Sequence, residues 1–235
     1  MPAARVSLTA VRDQIVACNR CERLRTYCLR VATEKKAAHR DDVYWGRPVP
    51  GFGDPRARVL IIGLAPAAHG ANRTGRVFTG DGAGGSSDFL MRAMHAAGFA
   101  SMPISRHPDD GLRLQDAYIA AAVRCAPPDN KPTTDEIAAC HAHLSAEFSA
   151  LPRLRVVVAL GRIGFDAALR LLAERGTAWR PKPIFGHGLV YSSAGAPVIL
   201  ASYHPSRQNT NTGVLTQPML ASVFRKAARL VHGRS

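Results

Sequence analysis

Four short apolar runs set the frame of this chain. Residues 58–62, 116–124, 154–160 and 197–203 are rich in β-branched and small aliphatic side chains over strand-like lengths. They do not alternate between apolar and polar, so they read as strands buried on both faces of a parallel sheet. The stretches between them carry helical spacing. Residues 7–17 form a first helix with Ser7 as its cap. Ser86, Ser87 and Asp88 open another, which runs over 89–97 and stops at Gly98. Thr133 and Glu136 form a capping box that starts a helix reaching about residue 150. Gly161 turns into an amphipathic helix ending near Gly176, and a last helix over about 217–231 is basic on one face. Strands alternating with helices predict a three-layer α/β/α sandwich with a central, mainly parallel, four-stranded sheet. There is no internal repeat and no low-complexity linker, so residues 1–235 read as a single domain.

Composition narrows the partners. With 235 residues and 46% hydrophobic content, the chain can build one full core. A net charge of +14 points first to nucleic acid and second to an anionic membrane. No apolar run reaches the roughly 18 residues of a membrane span. Residues 1–11 lack the apolar region of a signal peptide. The expectation is a soluble cytoplasmic protein, associated with the nucleoid and free of the membrane. The basic stretch before Trp45, with Arg23, Arg25, Arg30, Lys35, Lys36 and Arg40, suits either a backbone-binding surface or a solvated face.

Three loops follow three of the strands: GLAPAAHGANRTGRVFTGD (63–81), VRCAPPDNKP (123–132) and HPSRQNTNTG (204–213). In open α/β sheets, ligands bind outside the carboxyl ends of strands. The first loop is long, lacks apolar periodicity and is rich in small residues that let a ligand approach the backbone. It also holds an imidazole (His69), an amide (Asn72), a ring (Phe78) and an acid (Asp81).

Five cysteines are present. Cys18 and Cys21 form a C-x-x-C pair, and Cys125 and Cys140 lie at a strand end and on the following helix. Four thiolates suit tetrahedral zinc or an iron–sulfur cluster, and spacing alone leaves both open. Cys28 is either a spare core thiol or a replacement for one of the four.

Together the three loops and four cysteines resemble the uracil-DNA glycosylase superfamily, and most closely its type b branch (family 5), over about residues 18–229. The resemblance implies the fold of that superfamily and a structural [4Fe–4S] cluster on Cys18, Cys21, Cys125 and Cys140, pinning residues 1–50 to the domain. It also implies site roles. His204 contacts the base and stabilises charge on its carbonyl oxygen. Phe78 stacks on the extruded base, and Gly63, Ala65, Pro66, Ala67 and Asn72 complete the pocket. The first motif carries no acid, and Ala121 stands where other branches place an amide that reads uracil. Both departures match type b and move the water and sugar roles to Asp81 and Asn130. Ser206, Arg207, Gln208, Asn209 and Arg73, with Arg76, are the expected DNA-backbone contacts. The implied activity is a monofunctional, monomeric DNA glycosylase of base excision repair. It acts on uracil, hypoxanthine and xanthine in duplex DNA. The alternatives are a uracil-restricted family 4 enzyme and a lesion-binding protein that does not cut.

Overall fold

A computed structural model describes residues 7–233. The first six and last two residues of the predicted domain lie outside it. The six-stranded sheet is formed by β1 (Phe52–Gly53), β2 (Val59–Gly63), β3 (Ala117–Ala121), β4 (Val156–Leu160), β5 (Val190–Tyr191) and β6 (Val198–Ser202). Their order is β1-β3-β2-β4-β6-β5. The four predicted strands are the central parallel ones, with Ile61 opposite Ile119 and Val158, and Val158 opposite Leu200. The sheet thus has six strands rather than four. The extra two are two-residue antiparallel edges, too short to leave a pattern in the sequence.

Each central strand is buried on both faces, and its side chains divide by parity. Val59, Ile61, Val156 and Val158 pack with α4 (Ser86–Ala96) and α8 (Gln217–His232), where Leu90, Met94, Leu220 and Phe224 meet them. Leu60, Ile62, Val157 and Ala159 pack with α5 (Thr134–Ala150) and α6 (Gly161–Ala173), against Leu144, Phe165 and Leu172. This two-sided burial is why the strands read as continuous apolar runs. No helix among the described residues is long and apolar enough to cross a membrane.

The crossover direction reverses at β2. The chain runs from β2 through α4 to β3 on one side, then through α5 to β4 on the other. That reversal opens a crevice above the carboxyl ends of the strands.

The N-terminal region adds α1 (Leu8–Val16) and α2 (Glu22–Glu34). The second helix lies in the basic stretch before Trp45, to which sequence reading assigned no element. Its buried stripe is only Leu24, Cys28 and Val31, among charged neighbours. A third small core joins Leu24 and Cys28 to Val123, Cys125, Ala126 and Cys140. The capping box of α5 also anchors α2. Thr133 Oγ1 accepts from Glu136 N at 3.2 Å and Glu136 Oε2 accepts from Thr133 N at 2.8 Å. The same carboxylate takes both Arg23 Nε and Nη2 at 2.7 Å. Thr133→Ala is expected to cost about 1 kcal/mol, the usual value of a cap. Glu136→Ala is expected to cost more, because it removes the cap and the anchor of α2 together. Urea unfolding of the two variants side by side tests that order.

Candidate active site

The loop after β2 crosses the crevice and contains a four-residue helix, α3 (Ala71–Thr74). Two arginines clamp it. Arg73 donates to His69 O at 2.9 Å, Gly80 O at 2.7 Å and Asp42 Oδ2 at 2.6 Å. Arg76 is buried and makes a two-point ion pair with Asp110 at 2.7 and 2.8 Å, plus bonds to Thr79, Ser105 and Pro108. Although partial burial opposes ionisation, the Arg76 guanidinium and three backbone N–H groups hold the Asp110 carboxyl down to about 2. Between the clamps, Phe78 adopts φ +48°, a left-handed conformation unusual for a bulky residue. Its ring lies over Gly63, where a Cβ would come within 2.9 Å of the ring.

The half-buried Phe78 ring stacks on His204, with centroids 5.8 Å apart and planes 29° apart. Helix α6 starts with Gly161 (φ +80°), and a Cβ there would stand 3.2 Å from His204 Cβ. Neither His204 ring nitrogen is hydrogen-bonded among the described residues. The residue keeps some surface open to the crevice, yet burial of the ring holds its pKa down to about 4. The imidazole is therefore neutral at physiological pH.

Asp81 ends the loop. Its Oδ2 accepts from Ser87 N at 3.3 Å. Burial pushes its carboxyl up to about 6, with Asp88 adding to the rise and the Ser87 amide, Arg207 and Arg73 opposing it. Gly70 makes room for it, since a Cβ there would lie 1.9 Å from Asp81 Oδ1. The His204 loop is tied to the Asp81 loop by Arg207, which donates to Asp81 O at 2.7 Å. Ser206 caps α7 (Arg207–Asn211) by accepting from Asn209 N, and Asn209 Nδ2 donates to His204 O at 2.9 Å.

The structure thus brings Gly63, Phe78, Asp81, His204 and Arg207 together, with Ala65, Pro66 and Ala67 on the first turn of the same loop. Gln208 is exposed beside them. Other expected residues stand elsewhere. Asn72 has no solvent exposure, and its Nδ2 donates to Cys28 O and Ala68 O at 3.3 and 3.4 Å. It ties the loop to α2. The donors of Arg73 and Arg76 are committed inside the protein. Asn130 is exposed in the turn 128–130, where its backbone N–H donates to Pro127 O. No described contact brings it to Asp81 or His204. Sequence reading passed over Gly70 and took Gly161 only as a helix-opening turn; the need of both for a bare Cα shows only when Asp81 and His204 are in place. It also passed over the bond from Tyr44 OH to His69 Nδ1, 3.1 Å long.

A second site lies at the carboxyl end of β3. Cys18, Cys21, Cys125 and Cys140 line one cavity, together with Arg124 and His143. Cys28 is not among its lining residues, and its thiol donates to Ala126 O at 3.5 Å. Burial raises the pKa of Cys21, and it raises that of Cys140 to about 11, with the neighbouring thiols adding to both. Such thiols become thiolates only against a compensating cationic centre. Among the described residues no three potential ligands converge on one point to hold a single ion. A cluster, which spreads its thiolates around several irons, suits four cysteines on a shared cavity. Among the described residues, three buried nitrogens around it, Arg124 Nε, Arg124 Nη1 and His143 Nε2, have no partner.

Comparison with known proteins agrees with this geometry. A model of the uracil DNA glycosylase superfamily matches residues 50–228. The chain is 51% identical over 216 residues to the type-5 uracil-DNA glycosylase of Thermus thermophilus, covering 92% of this chain and 94% of the relative. It is 48% identical over 225 residues to that of Mycobacterium bovis, covering 95% and 82%. Similarity to the type-4 uracil-DNA glycosylase of Archaeoglobus fulgidus is lower, 31% over 181 residues, covering 75% and 76%.

The raised Asp81 carboxyl has a consequence for stability. Its folded pKa of about 6 lies above the unfolded value near ~4, so the folded state binds the proton more tightly. Its contribution is favourable below pH ~4 and is lost as pH rises through about 6. Asp81→Asn is therefore expected to be at least as stable as wild type at neutral pH. That advantage should disappear towards pH ~4, as read by thermal unfolding across the range.

Proposed function

The chain belongs to the uracil DNA glycosylase superfamily and stands with its type-5 members, and from that premise we propose that it is a monofunctional DNA glycosylase. It hydrolyses the N-glycosidic bond of uracil in duplex DNA, accepts hypoxanthine and xanthine, and leaves an abasic site. The observation that carries this reading is the pairing of a stacked Phe78–His204 platform with the desolvated Asp81 on a loop bonded to it through Arg207.

The reaction turns the sugar oxocarbenium-like while the leaving base gains negative charge. A base turned out of the stack lies against the Phe78 ring. A neutral His204 donates one N–H to the base carbonyl and stabilises the developing oxyanion without giving up a proton. The Asp81 carboxylate faces the sugar, where it stabilises positive charge and orients the attacking water. No lysine stands in the site as a nucleophile for a covalent intermediate, so water is the acceptor. The pocket offers backbone and small side chains in place of an amide reader, which supports acceptance of more than one deaminated base. Arg207 and Gln208, exposed on the His204 loop, are placed to meet the DNA backbone.

The four cysteines hold a [4Fe–4S] cluster that fixes the N-terminal segment to the carboxyl end of β3. The shared cavity and its unpartnered donors support this. The cluster supplies structure when bound, and no bond is made or broken on it.

Single-turnover excision on duplexes carrying uracil, hypoxanthine or xanthine at one position tests the reading. Release of uracil together with a purine base is expected. Uracil alone would favour the type-4 specificity, and no product from iron-loaded protein would favour a lesion-binding module. The wild-type rate is expected to rise with pH through about 6 as Asp81 ionises. In Asp81→Asn that limb should vanish and the rate should fall by about 10²-fold or more, while lesion-duplex affinity stays close to wild type. Duplex affinity is also expected to drop steeply between low and physiological salt as phosphate contacts release counterions, and a flat titration would remove DNA as the partner of the basic surface.

A further inference from the structure

Arg124 follows β3 and immediately precedes Cys125. Its side chain is 1% exposed. Its Nη2 donates to Glu147, which is equally buried and also accepts from Tyr118 OH at 3.1 Å and Gly51 N at 2.8 Å. Those two donors and the guanidinium fix the carboxylate in place. The pair has a direction, because Arg124 lines the cysteine cavity and Glu147 does not. Among the described residues, Arg124 Nε and Nη1 are unpartnered. The Arg124 backbone N–H already donates to Cys140 Sγ at 3.2 Å. Leaving buried guanidinium donors unpaired is costly, so such groups ordinarily face a partner.

A cluster held by four thiolates is a net anion, and it becomes more anionic on reduction. In an apolar cavity that charge requires compensation. We propose that Arg124 is the built-in counter-ion of the cluster, donating through Nε and Nη1 to its sulfurs and holding its reduction potential up. The proposal rests on the cluster reading given above. Glu147, Tyr118 and Gly51 orient the guanidinium. His143 Nε2, unpartnered on the same cavity, is a second donor. Arg20 and Arg25, also on the lining, add positive potential from the more open side. Hydrogen bonds and charge near the sulfurs are the protein's usual means of tuning such a cluster.

The test uses the full chain purified without oxygen. Iron and sulfide content come first: protein lacking both would overturn the cluster reading and this proposal with it. With cluster present, voltammetry compares wild type, Arg124→Lys and the double variant Arg124→Met with Glu147→Met. The double variant removes both buried charges together. A shift to more negative potential in the variants is expected, with faster loss of the cluster's visible absorbance in air. Pulsed electron paramagnetic resonance of the reduced cluster, with arginine nitrogen labelled, is expected to show a weak nitrogen coupling that Arg124→Lys abolishes. Cluster-loaded variants with the wild-type potential and an unchanged coupling would overturn the role of Arg124 while leaving the cluster reading intact. If neither variant folds, the wild-type spectrum decides, because absence of any arginine coupling overturns the proposal.

Discussion

The arrangement of the crevice depends on one buried ion pair. Arg76 and Asp110 close a turn of chain across 34 residues; Thr79, Ser105 and the Pro108 carbonyl accept from the other Arg76 donors, and the Arg106, His107 and Leu112 backbone N–H groups donate to Asp110. Removing one partner of such a pair strands a buried charge, at a cost of several kcal/mol. Phe78, two residues on, sits in backbone conformation that costs an L-residue on the order of 1–2 kcal/mol. The clamp is the larger quantity, so the loop stays in place and the strain is tolerated. Without it Phe78 would relax to an ordinary conformation and its ring would leave Gly63 and His204.

The same desolvation then acts in opposite senses on two groups. It raises Asp81 and lowers His204, because it penalises whichever form carries charge. For the histidine the result suits a hydrogen-bond donor that never needs to be an imidazolium. For the aspartate it leaves a carboxylate at physiological pH that is poorly solvated and so strongly attracted to positive charge arising on a nearby sugar. Two residues with little direct hydrogen bonding of their own are thus prepared by the crevice around them.

The parts visible in the sequence were those with short-range signals. The four central strands, the Thr133–Glu136 box and the turn at Gly161 each show within a few residues. Helix α2 did not show, because three buried positions in thirteen residues leave charge to dominate the pattern. Arg76 read as a backbone-binding residue because its partner Asp110 is distant in sequence. Asn72 read as a pocket amide for the same reason, its acceptor Cys28 O lying 44 residues away. Gly70 and Gly161 matter only through the side chains that approach them. The residues that the structure gathers at the crevice stand in motifs visible in the sequence, whereas the residues that hold them in place do not.

The N-terminal segment touches the loop after β2 through the Asn72–Cys28 and Tyr44–His69 bonds and through one path that leads on to Asp81. Asp42 pairs with Arg73, Arg73 donates to Gly80 O, and Asp81 follows. That path begins at an aspartate 40% exposed, so the pair contributes about 1 kcal/mol or less. The tie of α2 to α5 through Arg23 and Glu136 is likewise part-exposed. Residues 18–45 therefore have several modest anchors, and an empty cysteine cavity would leave two buried and two half-buried thiols beside nitrogens of Arg124 and His143 that have no partner among the described residues. On the reading proposed above, a cluster on these cysteines would be the strongest single anchor of this segment, and its grip on the crevice would pass through these few bonds. Losing it should loosen α2 far more than it displaces Asp81, which the Arg76 clamp and the Gly70 cradle hold independently.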